Sequence, residues 1–338
     1  MNDLLESYQA MLQPSENLLN DLALIEGDII LLGVGGKMGP SMAILLAQAA
    51  GKLGLEKKIY GVARFSDPEV EKSLQHEGII TIKADLLNRD ALAALPDVKN
   101  VIYLAGTKFG TTGKEHYTWA MNSYLPGLVA EKYKSSRIVV FSTGNIYPLT
   151  PVEKGGATEL DVPSPVGEYA QSCLGRERIF EYGSSVYGTE ILIYRLNYAN
   201  DVSYGVVLEI GKAVNEGRPV DLNMGHVNVI WQHDANEIAI RSLLHCSNPA
   251  KLLNVTGPET APVKWIAEEF GRLLNKTPVF TGQEQPTALL SNAGECFRLF
   301  GYPGTCLKQI IEIDAAWIAS GGKTANKPSH FQERNGNF

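Results

Sequence analysis

The stretch Asp28-Ile-Ile-Leu-Leu-Gly33-Val-Gly35-Gly36-Lys37-Met38-Gly39-Pro40-Ser41 constrains this chain more than any other. An apolar run of strand length passes straight into a glycine-spaced loop, and a helical pattern over residues 38–53 follows at once. Glycines there permit a tight turn and let a bulky anion approach the backbone. The helix start adds free N–H groups and the positive end of its dipole. Gly33, Gly36 and Gly39 fit G-x-x-G-x-x-G, whereas G-x-G-x-x-G fails at Met38. Between a strand and a helix, this spacing predicts a dinucleotide pyrophosphate site, with Lys37 and Met38 in the same loop.

From this loop onward short apolar segments alternate with helical ones, and strands are predicted at 29–32, 59–63, 79–82, 101–104, 138–141 and 191–196. The rhythm predicts right-handed crossovers and an α/β fold, a Rossmann-type doubly wound parallel sheet over residues 28–196. Afterwards helical stretches at 206–215, 235–245 and 263–274 alternate with short extended pieces at 227–231 and 252–255. These predict a smaller C-terminal lobe over 197–320, from which a strand can return to the sheet. A chain of 338 residues has room for both parts. Residues 1–27 read as short helical pieces forming a packing arm or a dimer contact. The polar tail 321–338 is predicted to be disordered.

The net charge of −7 is spread without a basic block, which argues against a nucleic-acid partner. Cys173, Cys246, Cys296 and Cys306 form neither a C-x-x-C pair nor a disulfide framework, and the histidines make no zinc motif, so no metal is expected. No apolar run approaches the ~18 residues of a membrane span, so no membrane is expected either. The expectation is a cytoplasmic protein with a small-molecule substrate, a homodimer being left open.

The second strand should end near Ala63, where an acidic side chain would meet the ribose hydroxyls of NAD. Arg64 follows instead. A guanidinium favours a 2′-phosphate, so NADP is expected in preference to NAD. Asp85, just after the third strand, can meet the adenine edge or cap the following turn.

The motifs in chain order are Gly33/Gly36/Gly39; Asp85-Leu86; Leu104-Ala105-Gly106; Asn122; Phe141-Ser142-Thr143-Gly-Asn145-Ile-Tyr147; Glu159; Tyr169-Ala-Gln-Ser-Cys173; Arg195-Leu196; and Trp231-Gln-His-Asp234. Over residues 28–318 this order resembles the extended short-chain dehydrogenase/reductases of the NAD-dependent epimerase/dehydratase kind. The resemblance implies a cofactor held by the glycine loop, Asp85, Leu86, Leu104, Ala105, Gly106, Asn122 and Tyr169. It implies Thr143 on the substrate oxygen and Tyr169 as general acid/base, and we count Lys108, Asn145, Tyr198 and Trp231 as substrate contacts. The implied activity is NAD(P)-dependent oxidation, reduction or epimerisation at a hydroxyl or carbonyl of a sugar, sugar acid or nucleotide sugar.

One position departs from the pattern. The family's Y-x-x-x-K places an ammonium one helical turn from the tyrosine, where it lowers the phenol's pKa; here Cys173 stands there. A neutral thiol supplies neither charge nor three donors. Three readings are open: another cation substitutes, Lys108 first and Arg176 second; Cys173 is itself chemically active; or the protein is a catalytically silent dinucleotide-binding regulator or scaffold.

Overall fold

The computed structural model describes residues 2–108, 113–325 and 329–336, with side chains from residue 4 onward. Before the sheet come α1 (Asn2–Ala10) and α2 (Glu16–Leu24). Ser15 caps α2, and its own N–H and hydroxyl donate to the Glu237 carboxylate at 2.7 and 2.6 Å. The arm is thus tied to the body of the protein.

Seven parallel strands follow: β1 (Ile29–Leu32), β2 (Ile59–Ala63), β3 (Ile80–Lys83), β4 (Asn100–Tyr103), β5 (Arg137–Thr143), β6 (Ile191–Leu196) and β7 (Lys251–Val255), in the order β7-β6-β5-β4-β1-β2-β3. The helices between them are α3 (Gly39–Lys52), α4 (Pro68–His76), α5 (Arg89–Ala93), α6 (Glu115–Trp119), α7 (Leu125–Lys132) and α8 (Gly167–Tyr187). The strand order reverses between β1 and β4, and such a switch point opens a crevice at the strand carboxyl ends. Burial on both faces explains why β1 is apolar throughout. Ile29 and Leu31 join Met42, Leu45 and Leu46 of α3 in one core, while Ile30 and Leu32 join Leu125, Val129 and Phe180 in the other.

After β6 come α9 (Val206–Asn215), α10 (Gln232–Arg241), α11 (Val263–Leu274), α12 (Gly294–Phe300) and α13 (Leu307–Ala319). Helices α9, α11 and α13 share a C-terminal core of their own, whereas Ala235, Ile238 and Ala239 of α10 and Cys296 and Phe300 of α12 pack with α3 on the sheet. The helix predicted at 235–245 therefore belongs to the sheet's layer and not to the smaller lobe. The predicted piece at 252–255 lies in β7, paired to β6 from Lys251↔Leu192 to Val255↔Leu196, so it belongs to the sheet. The expected disorder does not hold for residues 329–336. Phe331 is buried in the lobe's core with Val207, Val220 and Met224, and Arg334 donates to the Asn223 and Thr287 carbonyls at 2.9 Å each. One buried aromatic and one satisfied guanidinium outweigh the polar composition around them. No described helix is long and apolar enough to cross a membrane.

Candidate active site

The glycine loop turns at the carboxyl end of β1. Gly33 has φ +92°, and a Cβ on it would lie 2.7 Å from the Ala105 nitrogen; a Cβ on Gly39 would collide with the Val34 carbonyl. Those two glycines bring the loop against β4 and start α3 close to the sheet. Gly36 differs, since a Cβ there meets only the Gly33 oxygen at 3.5 Å and otherwise faces open space. Its open side belongs to a cavity of about 250 Å³ whose walls include Gly33, Gly36, Ala63, Arg64, Asp85, Leu86, Leu104, Ala105 and Gly106. Sequence-predicted cofactor residues from the first four strand ends therefore line one space. Arg64 is exposed at its rim, donating to the Tyr117 hydroxyl at 3.2 Å. Asp85 accepts from the Leu87 N–H at 3.1 Å, so it caps its turn while lining the cavity.

The loop after β4 is held by Asn122, which sits in a π-helical turn (Ala120–Tyr124) between α6 and α7. The Thr107 N–H donates to its Oδ1 at 2.9 Å, and its Nδ2 donates to the Thr107 carbonyl at 2.9 Å and the Ser172 hydroxyl at 3.0 Å. A single extra residue in a helical turn is a common way to aim a side chain at a functional site. Lys108 stands at the end of this stretch; residues 109–112 lie outside the described chain.

Thr143 ends β5, where its hydroxyl accepts from the Asn145 N–H at 3.2 Å and also bonds the Tyr169 hydroxyl. Tyr169 and Cys173 lie one turn apart on α8, and the phenol bonds the thiol as well. Burial, then the neighbouring Cys173, raises the Tyr169 pKa, against the opposing charge of Arg176. The side chain accordingly rests as a phenol. The Lys108 ammonium lies 5.7 Å from the centre of the Tyr169 ring. Burial first, then the Lys37 charge, pulls Lys108 down to about 8, while Cys173 and Glu209 act the other way.

These positions separate the readings of Cys173. Its side chain is fully buried beside Ile146, Tyr147 and Ala157, and burial pushes the thiol's pKa up, so it is not poised as a thiolate. Arg176, the second candidate cation, donates to the Phe141 carbonyl at 2.8 Å and to Asn122 Oδ1 at 2.7 Å. It braces the floor of the site. Lys108 stands over the face of the Tyr169 ring, while Arg176 is the cation whose charge opposes the rise of the phenol's pKa.

Behind the site a buried network joins the motif residues Ser142, Tyr147, Glu159 and Arg195 through Glu177 and Asn254, two residues that sequence reasoning missed. Arg195 donates to both carboxylate oxygens of Glu177, the closest contact being 2.7 Å, and to the Tyr147 hydroxyl at 2.5 Å; Ser142 donates to the same carboxylate. Tyr147 donates to Asn254 at 3.0 Å, and the Asn254 N–H donates to Glu159 at 2.7 Å. These bonds lock β5, β6, β7 and α8 together beneath Thr143 and Tyr169. The signal was available: Glu177 lies two turns from Tyr169 on one helical face, where a lone charge needs a partner.

The predicted substrate residues divide. Asn145 and Tyr198 line a small cavity of about 50 Å³ between the lobes. Trp231 does not reach it: the indole is fully buried in the lobe's core, edge-on to Tyr8 at 6.2 Å, and has no surface to offer a ligand. Among the described residues no group of three or more His, Cys, Asp or Glu side chains is arranged to hold a metal ion.

No family model matches the chain, and no curated protein matches it. Solved structures do match in fold. The UDP-glucuronic acid 4-epimerase of Bacillus cereus, in complex with NAD, is 17% identical, with a TM-score of 0.71 over 88% of this chain and 100% of that one. The Thermus thermophilus UDP-glucose 4-epimerase, also with NAD, is 17% identical at TM-score 0.69, covering 86% of this chain and 98% of that one. The Thermotoga maritima UDP-glucose 4-epimerase, with UDP-glucose, is 14% identical at TM-score 0.68, covering 87% and 99%. The chain has the fold of these epimerases, the Rossmann-type α/β architecture that its motif order implies.

Proposed function

We propose that this protein is an NAD(P)-dependent enzyme that oxidises, reduces or epimerises a hydroxyl- or carbonyl-bearing carbon of a sugar, sugar acid or nucleotide sugar. The observation that carries the reading is the convergence of Thr143, Lys108 and Cys173 on Tyr169 beside the glycine-loop cavity. The likeness to the B. cereus epimerase, also solved with UDP-glucuronic acid and NAD, supports the substrate class.

The open space over Gly36, the start of α3 and the Arg64 rim fit a dinucleotide, and Arg64 favours one with a 2′-phosphate. When bound, its nicotinamide supplies the hydride acceptor or donor. Thr143 holds the substrate oxygen. Tyr169, resting as a phenol, gives that oxygen its proton or takes one from it. The Lys108 charge favours the phenolate during that transfer, the task which the family's pattern gives to a lysine at position 173. Asn122 and Arg176 position the loop and helix that bear these groups.

The test is to incubate the protein with NAD or NADP and with UDP-glucuronic acid, UDP-glucose and simple sugar acids, following nicotinamide absorbance and the sugar's NMR spectrum. Turnover that Tyr169→Phe abolishes supports the assignment. Nucleotide binding without turnover across the screen would favour a regulatory role.

A further inference from the structure

Residues 329–336 lie between the two lobes instead of projecting from them. The Ser329 hydroxyl donates to Glu209 of α9 at 2.9 Å, and its N–H reaches the same carboxylate. Phe331 is buried, and its carbonyl accepts from the Tyr198 hydroxyl at 3.4 Å. Arg334 adds a 2.6 Å bond to the Thr287 hydroxyl. The Gly336 backbone packs directly on Val166 and Gly167, where α8 begins two residues before Tyr169.

The segment therefore runs from the C-terminal lobe to the head of the helix that carries Tyr169. On one side it leaves a cavity of about 340 Å³ walled by Tyr204, Glu209, Arg218, Asp221 and Phe331. On the other it leaves only about 50 Å³ among Asn145, Tyr198, Glu333 and Arg334. Ligand sites for molecules of drug size span about 300–1,000 Å³. With the segment in place, the space next to Asn145 and Tyr198 does not admit a nucleotide sugar. Glu209, which anchors the segment, is coupled by charge to the site's cations: it acts to raise the pKa of Lys108, and Lys37 acts to lower that of Glu209. Anchor and reaction centre thus share one electrostatic neighbourhood.

We propose that residues 329–336 are a strap that fills the substrate cleft of this protein and that a nucleotide-sugar-sized ligand must displace. The proposal rests on the functional reading above for the class of ligand. Its physical content is competition: a ligand that binds only the strap-free state loses apparent affinity by the fraction of chains in that state.

The test compares the full chain, a chain ending at Ala325 and the full chain with Arg334→Ala. Each is titrated with UDP-glucuronic acid as the probe and, separately, with NADH. The truncated chain should bind UDP-glucuronic acid about tenfold or more tighter than the full chain, with Arg334→Ala between them. NADH should bind all three alike, which also reports that each is folded. A synthetic peptide of residues 329–336 should weaken UDP-glucuronic acid binding to the truncated chain. Equal, weaker or absent UDP-glucuronic acid binding after truncation, with NADH binding kept, overturns the strap. Failure of the full chain to bind NADH overturns the functional reading instead.

Discussion

Lys108 holds its charge against its surroundings, and replacing it should separate stability from activity. A lysine moved from its ordinary 10.5 to about 8 carries a charge penalty of about 3 kcal/mol in the folded state. The folded pKa is depressed, so the penalty is complete below pH 8 and is relieved as pH rises from 8 to 10.5. Lys108→Met keeps the side chain's length and removes the charge. It should stabilise the fold at pH 7 by about 1–3 kcal/mol, the lower figure allowing for the side chain's remaining contact with water, and the gain should vanish above pH 10.5. Over the same change turnover should fall by about 10²–10⁴ while NADH affinity holds, because the lost charge acts on proton transfer at Tyr169. Urea unfolding at pH 7 and 10.5 measures the first effect, and steady-state kinetics with parallel NADH titration measure the second. A Lys108→Met protein that is less stable than its parent at pH 7, or that turns over at the parental rate, would refute the reasoning.

Other consequences follow from the same contacts. With Lys108 titrating near 8, kcat/KM should fall to about a tenth of its plateau by pH 9, and Lys108→Arg should move that limb out of range; a flat profile to pH 9.5 argues that another group carries the charge. Glu177→Gln leaves Arg195 buried beside a neutral partner and should cost about 3–5 kcal/mol in urea unfolding; a change under about 1 kcal/mol would mean that the network is not what locks the strands. Arg64→Ala should weaken NADPH binding more than NADH binding, read by fluorescence titration, and an equal loss for both would place Arg64 off the 2′-phosphate.

How far these features were legible from the sequence depended on what each residue touches. The strand β1 and its loop could be read because the apolar run, the glycine spacing and the following helix all act within fourteen residues of one another. The place of β7 could not, since an apolar strand of a parallel sheet says nothing about which neighbour it pairs with, and its partner β6 lies more than fifty residues earlier. Cys173 was visible as a missing ammonium, and Lys108 as the nearest loop cation, but Arg176 reveals its bracing role only through a carbonyl and an amide that the fold brings to it. Trp231 misled because its motif position says nothing about side-chain burial. The tail misled for the opposite reason: its composition is polar, and its attachment rests on one buried aromatic, Phe331, and on paired bonds from Ser329 and Arg334 to partners distant in sequence.

The claim beneath all of this is that a dinucleotide lies over the glycine loop, and Gly36 tests it most directly. A Cβ at Gly33 or Gly39 strikes backbone, whereas one at Gly36 points into open space, so Gly36→Trp should fold normally and fill the pyrophosphate's room. NADH titration, read by nicotinamide fluorescence and by the shift in melting temperature, should show binding to the parent protein and none to Gly36→Trp, with the two ligand-free melting temperatures alike. NADH binding to Gly36→Trp with parental affinity would contradict the account.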